Sequence, residues 1–171
     1  MDLTTIPLTT MDERTTTLND YAGQVVMVVN VASRCGLSGQ YEQLEELHRT
    51  YADRGFTVLG FPSNQFLQEL RSNEAVLQYC STTYGITFPV FDRLRVNGRN
   101  EHPLYTELKK TKDATGKAGR VRWNFEKFLL LPSGQRLRFR PRTTPDAPEI
   151  IAAIEANLPD QPPTDRTRNQ P

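Results

Sequence analysis

Val25-Val26-Met27-Val28-Val29-Asn30-Val31-Ala32-Ser33-Arg34-Cys35-Gly36 is a run of mostly β-branched apolar residues that ends in a polar turn carrying one cysteine. Without polar alternation, such a run reads as a strand covered on both faces, the usual condition at the middle of a parallel sheet. Cys35 then lies beyond the carboxyl end of that strand, where open α/β sheets place their binding crevices. The residues after it read as the start of a helix, and helix amides near a thiol favour its thiolate.

Downstream, Leu37, Tyr41, Leu44, Leu47 and Tyr51 recur at helical spacing, with Glu42, Glu45, Glu46 and Arg49 on the other face and Gly55 as the stop. Residues 56–61 form a second apolar run closed by Pro62. Strand, helix, strand is a βαβ unit with parallel strands, so the loop Ser63-Asn64-Gln65-Phe66 should lie beside the Cys35 loop. Ser72 or Asn73 can cap a second helix whose Val76, Leu77, Cys80 and Tyr84 share a face, which makes Cys80 partly buried. Extended segments at 89–91 and 94–96 precede a third helix over 102–110. A basic loop over 111–120 follows. Residues 123–131 and 135–139 read as a hairpin turning at Pro132-Ser133-Gly134. Asp146 and Glu149 resemble a capping box ahead of a last helix with Ile150, Ile151, Ile154 and Leu158 inward. Upstream, residues 6–18 suit a short β-hairpin. This order predicts an α/β protein of thioredoxin-like fold, with a central mixed sheet flanked by helices and an N-terminal β-hairpin.

The 171 residues suffice for one sizeable core, expected over residues 1–159, with a Pro-rich, polar and disordered tail over 160–171. Lys and Arg number 21 against 20 Asp and Glu, a balance that points neither to nucleic acid nor to an anionic membrane. With no signal-like N-terminus and no run of membrane-spanning length, a cytoplasmic protein is expected. Two cysteines make no secreted disulfide framework and are either inert or catalytic. Together with two isolated histidines they lack metal-ligand spacing, so neither metal nor other cofactor is expected. No second cysteine near Cys35 suggests an ordinary dithiol oxidoreductase. Arg136, Arg138, Arg140 and Arg142 alternate with Leu137 and Phe139, the pattern of a strand with a solvated face.

Four segments, in order, resemble the glutathione peroxidase family: Asn30-Val31-Ala32-Ser33-Arg34-Cys35-Gly36; Leu59-Gly60-Phe61-Pro62-Ser63-Asn64-Gln65-Phe66; Phe88-Pro89-Val90-Phe91 with Val96-Asn97-Gly98; and Trp123-Asn124-Phe125-Glu126-Lys127-Phe128-Leu129. The resemblance implies reduction of hydrogen peroxide and organic hydroperoxides at Cys35, in a cysteine rather than selenocysteine form. It also carries the family's catalytic tetrad onto Cys35, Gln65, Trp123 and Asn124. The roles make chemical sense: only a thiolate attacks the O–O bond quickly, and amide and indole N–H groups can stabilise it and the departing oxygen. Attack leaves a sulfenic acid that must condense with a thiol. Cys80 matches the resolving cysteine of members that use thioredoxin in place of glutathione. Because a disulfide needs Cα atoms within about 7 Å, its helix is expected to unwind locally in each cycle.

The sequence departs from the family where Ser63 replaces a frequent cysteine, where Leu67 replaces a glycine, and where residues 68–72 run short. The short loop between Lys110 and Trp123 resembles members without the tetramer-forming segment, which implies a monomer open to bulky hydroperoxides. Two other readings compete with thioredoxin-dependent turnover: a glutathione-dependent peroxidase, and a peroxide sensor or redox relay that hands its disulfide to a partner protein. A binding module with inert thiols is the non-catalytic alternative.

Overall fold

The computed structural model describes residues 1–162, so the expected tail lies, from 163 onward, outside the described residues. At its centre is β3 (Val25–Val31), every residue of which is buried. It pairs in parallel with β4 (Phe56–Pro62) and antiparallel with β5 (Lys127–Leu130), which pairs in turn with β6 (Arg136–Phe139). The sheet order is β4-β3-β5-β6. A separate two-stranded ladder, β1 (Leu8–Thr9) with β2 (Thr15–Thr16), is the N-terminal hairpin.

The reason for the unbroken apolar run is that β3 serves two cores. Val25, Met27, Val29 and Val31 pack with Tyr41, Leu44 and Leu47 of α1 (Gln40–Tyr51) and with Ile150 and Ile154 of α4 (Pro148–Asn157). Val26 and Val28 pack on the opposite side with Phe61, Phe128 and with Leu104, Tyr105 and Leu108 of α3 (Pro103–Leu108). Each such fully buried side chain is worth roughly 1.5–3 kcal/mol, and helices on both faces of the sheet complete the thioredoxin-like arrangement.

Several local expectations give way to tertiary structure. The helix after Cys35 begins only at Gln40. Cys35 sits in a turn closed by the Ser38 N–H on its carbonyl (2.9 Å), in a stretch whose Gly36, Ser38 and Gly39 are weak helix formers. Glu45 is buried, not on an outer face, where it accepts the Thr87 N–H (2.8 Å) and pairs with Arg49 (3.0 Å). In α2 (Asn73–Tyr84) Ser72 caps Ala75 N–H as expected and Cys80 faces inward, but Leu77 is exposed. The last helix starts at Pro148, whose ring presets the first turn; Ala147 takes the cap position and no capping box forms.

The largest correction concerns the arginines. Arg138 is not solvated: its side chain is fully buried beneath the 109–120 loop, where it donates to the carbonyls of Thr111, Gly119 and Arg120 and pairs with the equally buried Glu126. Arg140 joins Glu126 from the same strand end (2.6 Å). Strand alternation alone cannot show that a loop will cover the polar face.

Lys127 is also buried, its ammonium donating to Gln40 Oε1 (2.8 Å) and to the carbonyls of Phe125 (2.5 Å) and Pro141 (3.2 Å). Burial lowers its pKa to about 7, against the pull of the Glu126 carboxylate. The folded chain therefore binds fewer protons than the unfolded one between about pH 7 and the ordinary lysine range, and stability rises with pH through that window. Urea unfolding of wild type and Lys127→Met from pH 7 to 9 should show their difference growing in favour of wild type by up to about 1.4 kcal/mol per pH unit. A flat difference would mean that folded Lys127 stays charged at pH 9.

Candidate active site

Strand direction brings three distant segments to one edge of the sheet. β3 and β4 are parallel, so Val31 and Pro62 end side by side, and the antiparallel β5 begins there, with Lys127 opposite Val29. Residues 32–39, 63–71 and 123–126 thus meet. Their backbones are tied together by hydrogen bonds from Ser63 N–H to the Val31 carbonyl (3.1 Å) and from Arg34 N–H to the Gln68 carbonyl (2.8 Å).

The third segment is held by Asn30. Its Nδ2 donates to the Trp123 carbonyl (3.1 Å), its Oδ1 accepts Glu126 N–H (3.1 Å), and its own carbonyl accepts Phe125 N–H (2.6 Å). Phe125 takes φ 63° at the apex. Residues 123–126 are therefore a clamped turn, and the strand expected from 123 begins at Lys127. Asn30 was not singled out from sequence, although a polar side chain inside an otherwise apolar buried strand must find partners and is a usable signal.

Cys35 is 4 % exposed, and its sulfur accepts the Leu37 N–H at 3.4 Å. Gln65 binds backbone: its Oε1 accepts the N–H groups of Val96 (2.8 Å) and Asn97 (2.9 Å), and its Nε2 donates to the Asn97 carbonyl (2.7 Å). Asn97 in turn holds Val121 through two further bonds, so Gln65 is latched to the segment leading into Trp123. Asn124 is fully buried and donates to Gln68 Oε1 (3.0 Å). Trp123 is 39 % exposed and lies against Phe66, ring centroids 5.0 Å apart. Among the described residues no hydrogen bond links Gln65, Trp123 or Asn124 to the Cys35 sulfur. The chain positions their backbones at the site while the side-chain amides of Gln65 and Asn124 hold the loops.

A cavity of about 390 Å³ is lined by Phe66, Ala118, Arg120, Val121 and Arg122. Leu67, the next residue after Phe66, is 85 % exposed and at φ 58°. That left-handed conformation strains a leucine and suits glycine, so the substitution noted at this position carries a backbone cost.

Cys80 is a free thiol, like Cys35, and both belong to the same core. Burial pushes the Cys80 thiol up to about 11, with the nearby Glu69 carboxylate acting in the same direction and a contact with the Tyr41 hydroxyl opposing it. Glu69, buried on the loop after Gln65, accepts the N–H groups of Ser33 (3.1 Å) and Leu70 (2.8 Å) through Oε1.

Comparison with known proteins gives concordant matches. A family model described as glutathione peroxidase matches residues 3–109. The chain is 44 % identical over 169 residues to the thioredoxin/glutathione peroxidase BtuE of Escherichia coli, covering 86 % of this chain and 92 % of that one. It is 48 % identical over 114 residues to the glutathione peroxidase-like peroxiredoxin HYR1 of Saccharomyces cerevisiae, covering 66 % and 70 %. The crystal structure of apo Trgpx superimposes with a TM-score of 0.70 at 36 % identity, over 93 % of this chain and 99 % of that one.

Proposed function

Because the chain belongs to the glutathione peroxidase family and is a thiol peroxidase, we propose that Cys35 attacks the peroxide, that Gln65, Trp123 and Asn124 stabilise charge, and that Cys80 resolves the oxidised enzyme for thioredoxin. The observation that carries this reading is the convergence of the Cys35 turn, the Gln65 loop and the clamped Trp123-Asn124 turn at one sheet edge.

The Cys35 thiolate attacks one peroxide oxygen; the S–O bond forms as the O–O bond breaks, and the departing oxygen takes a proton to leave as water or alcohol. Gln65 uses one Nε2 hydrogen on Asn97, which leaves its second N–H as a donor fixed in direction by the latch. The indole N–H of the partly exposed Trp123 supplies another donor. Cys35 is left as sulfenic acid. The Cys80 thiolate then displaces hydroxide from that sulfur, forming a disulfide and water, and a reduced dithiol partner restores both thiols by exchange.

Cys80 must leave a helix interior to do this. Val76 and Cys80 are the buried residues of α2, and Tyr79 and Tyr84 pack partly buried against Tyr41, so unwinding must release these contacts. Thioredoxin fits a disulfide within one chain, whereas glutathione fits reduction of Cys35 alone; the name of the Escherichia coli relative covers both reductants. No helix among the described residues is long and apolar enough to cross a membrane. The cytoplasm, where thioredoxin keeps thiols reduced, suits the cycle, and a monomer suits the open cavity.

Peroxide consumption coupled to NADPH through thioredoxin reductase and thioredoxin tests the assignment. Cys80→Ser should consume one equivalent of peroxide per chain and then stall, while wild type turns over continuously. Sustained turnover of Cys80→Ser with thioredoxin, or wild-type turnover with glutathione alone, would make Cys80 a core residue and favour the glutathione-dependent reading. Rapid wild-type oxidation followed by slow recycling with either reductant would favour a redox relay.

A further inference from the structure

The chain's charges nearly balance in number but not in place. The three segments that meet at the Cys35 edge, with the stretch 118–122 leading into the last, carry two acids, Glu69 and Glu126. Both are buried, and Glu126 is already paired with Arg138 and Arg140. Every exposed charge there is an arginine: Arg34, Arg71, Arg120 and Arg122. Among the described residues none of these four guanidinium groups has an ion pair or a hydrogen bond.

Arg120 and Arg122 share the cavity of about 390 Å³, whose other walls are Phe66, Ala118 and Val121. Backbone bonds pin the segment that carries them. Val121 N–H donates to Asn97 Oδ1 (3.0 Å), and the Val121 carbonyl accepts from Asn97 Nδ2 (2.8 Å). The Arg120 carbonyl accepts from Arg138 (3.1 Å), and Arg122 N–H donates to Glu126 (2.9 Å). Two routes connect this cavity to the proposed donors. Phe66 follows Gln65 in the chain and lies against Trp123, while Asn97, which holds Val121, is itself held by Gln65.

We propose that Arg120 and Arg122 bind the carboxylate of acidic, single-chain organic hydroperoxides and so determine specificity for them. This rests on the thiol peroxidase reading, with Cys35 as the attacking group. A planar guanidinium matches a carboxylate with two parallel N–H donors, and two of them on a pinned segment are ordered before the ligand arrives. Phe66 and Val121 give the hydrocarbon beside the carboxylate an apolar wall. The volume is at the small end of the roughly 300–1,000 Å³ of ligand sites, which suits one chain and not a two-chain lipid. Hydrogen peroxide and neutral hydroperoxides leave both arginines unused.

The test compares kcat/KM for linoleic acid hydroperoxide and for its methyl ester, each below the concentration at which it forms micelles. Wild type should favour the acid by at least about tenfold, the scale of one charge-assisted hydrogen bond, and added salt should shrink that preference. In the double variant Arg120→Gln with Arg122→Gln the acid-to-ester ratio should fall close to one, through a higher KM for the acid. The backbone bonds of the segment do not depend on these side chains. Arg71→Gln, outside the cavity, should keep most of the ratio; an equal loss there would assign the preference to the general field and overturn the subsite. An unchanged ratio in the double variant, or a raised KM for thioredoxin in its place, would also overturn it. So would phosphatidylcholine hydroperoxide reduced as fast as the acid and lost with the same two substitutions, since the anion bound would then be a phosphate headgroup. Wild type that reduces acid and ester alike refutes the subsite and leaves the peroxidase reading intact. Wild type that reduces neither these nor hydrogen peroxide would refute that reading itself.

Discussion

Cys35→Ser is expected to lower peroxide consumption by at least about 10³-fold, the scale on which a nucleophile's removal acts. Serine is close in size, and its oxygen can still accept the Leu37 N–H that reaches the sulfur, so the turn should fold as before. What disappears is chemistry: a hydroxyl does not ionise near neutral pH and does not attack the O–O bond. The protein's single tryptophan, Trp123, sits at the site and gives a direct readout. A rapid fluorescence change on mixing wild type with peroxide should be absent in Cys35→Ser, while unfolding midpoints agree. A variant that keeps more than a tenth of the rate would place the reacting sulfur at Cys80.

The second large effect is on stability. Glu126 is fully buried, pairs with Arg138 and Arg140, and accepts Arg122 N–H at 2.9 Å, closing the turn that contains Trp123 and Asn124. Glu126→Ala leaves the Arg138 guanidinium buried over the Phe128 ring with carbonyl partners but no counter-charge. Breaking such a pair from one side costs about 3–5 kcal/mol, a large fraction of the roughly 5–15 kcal/mol that holds a domain folded. Urea denaturation should show a loss of that size. The double variant Glu126→Ala with Arg138→Met should recover part of it, because the uncompensated charge is gone. A single-variant loss below about 1 kcal/mol would mean that the carbonyls alone satisfy Arg138.

Much of the fold was legible because its strongest signals are local. The apolar run of β3, the helical spacing from Leu37 to Tyr51 and the Ser72 cap each depend on neighbouring residues. Arg138 and Glu45 were misread because their partners, the 109–120 loop and Thr87, come from elsewhere in the chain. The start of β5 was misplaced for the same reason, since Asn30 decides it from across the sheet. The candidate site shows a similar division. Cys35 stands out by its position after a buried strand, but Gln65, Trp123 and Asn124 stand out only together, through the family pattern. Read singly, Gln65 satisfies loop backbone, and that is the bonding it shows at rest. Arg120 read only as the end of a basic loop, and nothing in the sequence joined it to Arg122; their shared cavity comes from the fold.

The Asn30 clamp joins residues separated by 93 positions in the chain, and this sets a timetable for synthesis. The Cys35 turn leaves the ribosome well before the Trp123-Asn124 turn that Asn30 must grip. At roughly 5–20 residues per second, the interval is about 5–20 s. Throughout it the nascent chain carries Cys35 without the turn that holds Trp123 and Asn124, the groups proposed above to assist its attack on peroxide. On the proposed roles, translation delivers the thiol first and the means of using it last, so a growing chain under oxidative stress would be protected by its own incompleteness.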